Sequence, residues 1–134
     1  MHARDALVAR LWQQAEPETF FTEAEFAHNL DGWSVVPVEI DGTLAFIFVH
    51  RGPEFHFASL GGGAQISRRM IVHFLGPIIA EHGHAMTRTP ASDQRQQRFN
   101  VAFGFVAHAR DPFWVHYRID ATTWTRRHAC RFSP

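Results

Sequence analysis

Lysine is absent from this 134-residue chain, and all 13 basic residues are arginines, a bias that points to genomic base composition and singles out no activity. Cysteine is almost absent too. Cys130 alone cannot close an internal disulfide, so a disulfide framework is excluded and nothing suggests an oxidising compartment. Its short polar C-terminal surroundings also make it a poor candidate nucleophile. No apolar run approaches the roughly 18 to 20 residues of a membrane-spanning helix. The opening residues carry acids and lack a signal-peptide core, so the expected location is cytoplasmic. Charged residues make up only 19% of the chain against 46% hydrophobic ones, including 13 Phe and 4 Trp, which excludes a disordered polyelectrolyte. There is no Cys pair and no His-Glu-x-x-His. Of the ten histidines, His82 and His84 flank Gly83 across an expected strand boundary, and no metal site is expected.

The net charge of zero conceals an asymmetry. Residues 1–60 hold three arginines against nine acids, and residues 61–134 hold ten arginines against four. Such a division gives either two halves that attract each other or a basic face able to meet phosphates.

Hydrophobic periodicity and turn chemistry give the element order. Leu7, Val8, Leu11 and Trp12 share one side of a helix over Arg4 to Gln14, and a Thr22-x-x-Glu25 capping box opens a second, short helix. The β-branched run from Trp33 to Ile40, the Asp41-Gly42 turn and Thr43 to Val49 read as a hairpin, with Glu54 to Ser59 as a third strand. After Gly61-Gly62-Gly63, Met70, Ile71, Phe74, Leu75, Ile78 and Ile79 form the apolar stripe of a helix from Ser67 to His82. Gly83 ends it, and Pro77 should kink it near Gly76. A strand from His84 to Thr89, a helix capped by Ser92 and ended by Gly104, and a last hairpin of Phe105 to Arg110 and Phe113 to Ile119 complete an order ααβββαβαββ. In that hairpin Phe113, Val115 and Tyr117 should face the core. Trp114 and Trp124 stand out as aromatics able to anchor a partner, and residues 121–134 read as a loosely held basic tail after a single domain over 1–120. The expected fold is an α/β (α+β) domain with a mixed, mostly antiparallel sheet flanked by helices.

This order resembles that of the GNAT superfamily of N-acetyltransferases over nearly the whole chain, except that no leading strand precedes the first helix. The most specific local match is Arg98-Phe99-Asn100-Val101-Ala102-Phe103-Gly104-Phe105, similar to the end of that family's fourth helix. The resemblance implies that acetyl-CoA is the cofactor. Its pyrophosphate would lie on the loop and helix start at Leu60, Gly62, Gly63, Ala64, Arg68 and Arg69, with Asn100 in the adjoining site. Two departures accompany it. Ser59 stands where the family has Arg or Gln, and Asn100 stands where it has the tyrosine that serves as general acid. An amide cannot give up and recover a proton as a phenol can. Glu54, His56 and Ser59, on the strand that lines the family's acceptor cleft, are the candidate catalytic residues, and the amide of Leu60 or a neighbour is the candidate donor to the thioester carbonyl.

Within the superfamily, the run from Ile66-Ser67-Arg68-Arg69 to Gly104-Phe105, with Asp111 and the closing aromatics, is similar to virion-associated and head proteins of short-tailed phages. That likeness implies an interaction protein, cytoplasmic or in the virion, whose partners are phage or host proteins or a second copy of itself. Nucleic acid is not an expected partner, although Phe113, Trp114, His116, Arg118 and the downstream arginines offer aromatic and basic groups, and a nucleic-acid-associated module using the basic half is a third, weaker reading. The alternative is an active acetyl-CoA-dependent N-acetyltransferase.

Overall fold

In the computed structural model, which describes residues 3–15, 22–61 and 66–129, Asp41 (φ 53°) and Gly42 (φ 80°) form a two-residue turn. Positive φ at both central residues is the hairpin geometry whose twist matches that of the flanking strands, and Asp-Gly adopts it with little strain. The turn joins β1 (Ser34–Ile40) to β2 (Thr43–Arg51) in antiparallel register from Ile40↔Thr43 to Ser34↔His50. β3 is Glu54–Ser59 and β4 is His84–Pro90; they pair in parallel at Glu54↔Met86, where the Met86 amide donates to the Pro53 carbonyl at 2.8 Å. β5 (Val106–Arg110) and β6 (Trp114–Asp120) are antiparallel, and β6 also pairs along β4 from Pro90↔Trp114 to His84↔Asp120. The sheet order is β1-β2-β3-β4-β6-β5, a six-stranded mixed sheet.

Two compact units make up the chain. The first comprises Met1–Arg51 and His56–Gln65, and contains α1 (Arg4–Ala15) and α2 (Glu23–Asn29). Leu7, Leu11, Ile47 and Val49 form its buried cluster, with Phe26, Leu30, Trp33 and Val35 packed around it. Arg4 ties α1 to the end of α2 by donating 2.7 Å bonds to the Leu30 and Trp33 carbonyls. At the start of α2 the Thr22 hydroxyl accepts from the Glu25 amide and itself donates to the Glu25 carboxylate, a variant of the expected capping box.

The second unit comprises Gly52–Phe55 and Ile66–Pro134 and holds α3 (Arg68–His82), α4 (Gln94–Phe103) and α5 (Ala121–Trp124). Ser67 caps α3 by accepting from the Met70 amide, and Gly83 ends it in the left-handed conformation. The stripe is buried at Ile71, Leu75, Ile78 and Ile79. Asp93, not Ser92, caps α4: its carboxylate accepts from the Gln96 amide at 3.0 Å, the N3 position that a cap residue reaches. Among the described residues no helix is long and apolar enough to cross a membrane.

Three expectations for the C-terminal region are corrected. Residues 121–129, read from sequence as a loose tail, form α5 and a π-helical turn over Thr125–Ala129. Trp124, expected to be available to a partner, is only 5% exposed, and His128 is fully buried. Phe113, expected in the core, is 75% exposed, because β6 begins one residue later at Trp114, leaving Phe113 in the turn while Val115, Tyr117 and Ile119 face inward.

The turn before β6 is built by Asp111, whose Oδ1 accepts from the amides of Phe113 and Trp114, each at 2.8 Å. These bonds favour the charged carboxylate and hold its pKa below the ordinary value, with His116 adding a smaller contribution. A lowered folded pKa means that the stabilisation is complete above the unfolded value and is lost as pH falls through the folded one. Thermal unfolding followed from pH 7 to pH 2 should therefore show an acid-induced loss in the natural protein that is reduced in Asp111→Asn. Asparagine keeps the acceptor oxygen and removes the titration.

Candidate functional site

The residues singled out from the sequence are divided between the two units. In the first, His56 is half-buried with its ring 5.8 Å from that of Trp33, whose indole also lies 4.9 Å from the Arg51 guanidinium. Ser59 is a backbone anchor as much as a side chain. Its carbonyl accepts from Gln14 Nε2 at 2.7 Å, and its hydroxyl accepts from the Gly61 amide at 3.4 Å. The Leu60 amide donates to the Ala45 carbonyl at 3.0 Å. That bond engages one of the amides expected to face a thioester carbonyl. Gly62, Gly63 and Ala64 lie outside the described residues.

In the second unit, Glu54 opens β3 and is half-buried, while Arg68 and Arg69 occupy the first turn of α3 directly after the Ser67 cap. No acid stands in that turn, and both arginines are exposed. A helix N-terminus carries partial positive charge and presents free amides, so cations there are electrostatically unfavourable unless an anion joins them. The Arg68 guanidinium lies 5.4 Å from the centre of the Phe103 ring. The same ring is stacked on that of His128 at 4.1 Å, and His128 Nε2 bonds the Phe103 carbonyl at 2.6 Å. Because a carbonyl only accepts, this nitrogen carries the proton. Arg127 Nη1 donates to the neighbouring Ala102 carbonyl at 3.0 Å. The C-terminal turn thus satisfies two carbonyls at the end of α4, where a helix leaves them without intrahelical partners. The packing of Phe103, Trp124 and His128 against one another escaped the sequence reading, which set Trp124 apart as a partner anchor and left His128 in the tail; the only local signal was the four-residue spacing between Trp124 and His128.

Asn100 is 4% exposed, its Nδ2 donating to the Thr89 hydroxyl at 2.8 Å and its Oδ1 accepting from Gln96 Nε2 at 3.0 Å. It braces α4 against β4. The chain's one tyrosine, Tyr117, is 2% exposed on β6, so no exposed phenol is present among the described residues. Nor do three or more metal-ligating side chains converge among them.

No family model and no curated protein matches the sequence. Solved structures do match. The N-acetyltransferase PseH of Campylobacter jejuni, in complex with acetyl coenzyme A, superposes with a TM-score of 0.62 at 7% identity, over 84% of this chain and 89% of that one. The ribosomal-protein-alanine N-acetyltransferase of Brucella melitensis gives 0.63 at 14% identity over 90% and 98%. A protein of Desulfovibrio desulfuricans assigned to the GNAT acetyltransferases gives 0.61 at 17% identity over 90% and 96%. At such identities the likeness concerns the path of the backbone, and the chain has the fold of the GNAT N-acetyltransferases.

Proposed function

We propose that the protein binds an acyl-CoA, acetyl-CoA in the first instance, with the pyrophosphate at the start of α3. The observation that carries this reading is the pair Arg68 and Arg69 in the first turn of a capped helix with no acid to offset them. Free helix amides and two guanidiniums form a donor set suited to a diphosphate. The fold supports it, since one structure of the same fold holds acetyl coenzyme A.

Transfer of the acetyl group to an amine would proceed here without a phenolic acid. Asn100 is committed to Thr89 and Gln96 and cannot substitute for one. Attack by a neutral amine needs a base to take its proton, and Glu54, His56 or water is the candidate. The departing thiolate is a stable enough anion to be protonated by water. A second reading, that of an interaction protein such as a phage virion component that keeps the fold without turnover, is favoured by the same commitment of Asn100.

Calorimetric titration with acetyl-CoA tests the binding reading. Saturable binding that falls at least tenfold in Arg68→Ala/Arg69→Ala is expected, because a charge-assisted bond contributes about 1.5 to 3 kcal/mol. No heat and no thermal stabilisation at millimolar acetyl-CoA would remove the reading. Free thiol released in the presence of an amine panel then separates the two: release supports an acetyltransferase, and binding without release supports the non-catalytic protein.

A further inference from the structure

The second unit holds ten arginines against five acids, and two of its exposed arginines, Arg95 and Arg98, stand on one helix, with a third, Arg127, bonded to the helix end. α4 has the sequence QRQQRFNVAF, with two arginines, three glutamines and no acid. Gln94, Arg95, Arg98, Phe99, Val101 and Ala102 are all exposed, so the helix presents a long outer face to solvent. Phe99 is 42% and Val101 57% exposed. At the C-terminal end of α4 the π-helical turn adds Arg126 and Arg127, the latter fixed by its bond to the Ala102 carbonyl. Arg68 approaches from α3 over Phe103. Neither Arg95, Arg98 nor Arg126 enters an ion pair among the described residues. The unit's acids lie elsewhere or are engaged. Asp93 caps α4 itself, Asp120 is bonded to Arg118, Asp111 holds the β5–β6 turn, and Glu54 and Glu81 stand on β3 and at the end of α3.

A face of clustered, uncompensated arginines is electrostatically complementary to a polyanion. The shape of the face narrows the class. The cations are mounted at fixed spacing on a rigid helix and an adjoining turn, which suits the regular phosphates of a stiff double helix, and the exposed arginine and glutamine side chains are those that reach base edges in a major groove. A single strand is ordinarily held by aromatic rings open to stacking bases, and the Phe99 ring is already stacked on Phe103 at 5.8 Å. We propose that the outer face of α4, extended by Arg126 and Arg127, is a docking surface for double-stranded DNA. This proposal does not depend on the acyl-CoA reading.

Fluorescence anisotropy with a labelled 16-base-pair mixed-sequence duplex tests it on the full chain. Four phosphates neutralised by Arg95, Arg98, Arg126 and Arg127 give a slope of log affinity against log salt near −3.6. Affinity should then fall on the order of 100-fold between 50 and 200 mM salt. Arg95→Ala/Arg98→Ala should weaken binding at 50 mM salt at least tenfold and bring the slope about 1.8 closer to zero. Both side chains are exposed, so the fold should be retained, and an unchanged thermal midpoint checks this. Arg95→Lys/Arg98→Lys should keep most of the binding and the slope, and Arg10→Ala, exposed on α1, should leave both unchanged. Three outcomes would overturn the proposal: no saturable binding at 50 mM salt, duplex binding by Arg95→Ala/Arg98→Ala equal to that of the natural protein, or a single strand of the same sequence binding as tightly as the duplex.

Discussion

Replacing Trp124 by alanine is expected to lower the free energy of unfolding by about 3 to 5 kcal/mol, the range for removing a buried tryptophan. The indole is 5% exposed, 4.9 Å from the His128 ring and 6.0 Å from that of Phe103. Its loss opens a cavity beneath a helix of only four residues, too short to persist without tertiary support. The damage should spread to α4, because His128 and Arg127 hold the Phe103 and Ala102 carbonyls from the turn that follows. Urea denaturation gives the change directly, and at roughly 4 °C per kcal/mol the midpoint of thermal unfolding should fall by roughly 12 to 20 °C. Trp124→Phe, which keeps part of the ring contact, should retain most of the stability. A change within about 0.5 kcal/mol for the alanine variant, the usual range at an exposed surface position, would mean that this segment is not docked.

The second large effect is expected at Gly104. This residue ends α4 at φ 118° and ψ 3°, and its amide donates to the carbonyls of Asn100 and Val101. A β-carbon here would stand 2.9 Å from Arg127 Cδ and 3.2 Å from Ile119 Cδ1. The arginine can swing aside, though doing so breaks its bond to Ala102; Ile119, 1% exposed in the core, can yield only slightly. The backbone strain has no such outlet, since L-residues avoid this conformation at a cost of about 1 to 3 kcal/mol. Gly104→Ala should therefore destabilise by about 2 to 4 kcal/mol in the same denaturation experiment.

The two candidate sites were legible to different degrees. Arg68 and Arg69 at the head of α3 follow from Ser67 as a cap and the apolar stripe behind it, both of which are local. The engagement of the Leu60 amide was not legible, because its acceptor, Ala45, lies on another strand and a paired amide leaves no mark on its own sequence. Asn100 read as a vacant acid position; only its contact with Thr89, eleven residues away, shows it to be a buried brace. The face of α4 was legible only as part of the arginine-rich half of the chain, and which of its side chains stay in water depended on where Asn100 and Phe103 are anchored.

By itself the sequence determined what short-range chemistry dictates. Asp41-Gly42 made the hairpin because two consecutive residues had to tolerate positive φ. The period of Ile71, Leu75, Ile78 and Ile79 made α3, and Gly83 and Gly104 ended helices where any other residue would be strained. Tertiary structure alone decided the C-terminal region. Thr125 to Ala129 is polar and carries no amphipathic signal, yet it is held in place by His128, whose burial depends on the Phe103 carbonyl and ring, 25 residues back in the chain. Caps, turns and periodicity act over a few residues and can be read one segment at a time. The partner of a buried polar group is set by how the chain returns on itself, and no local pattern specifies it.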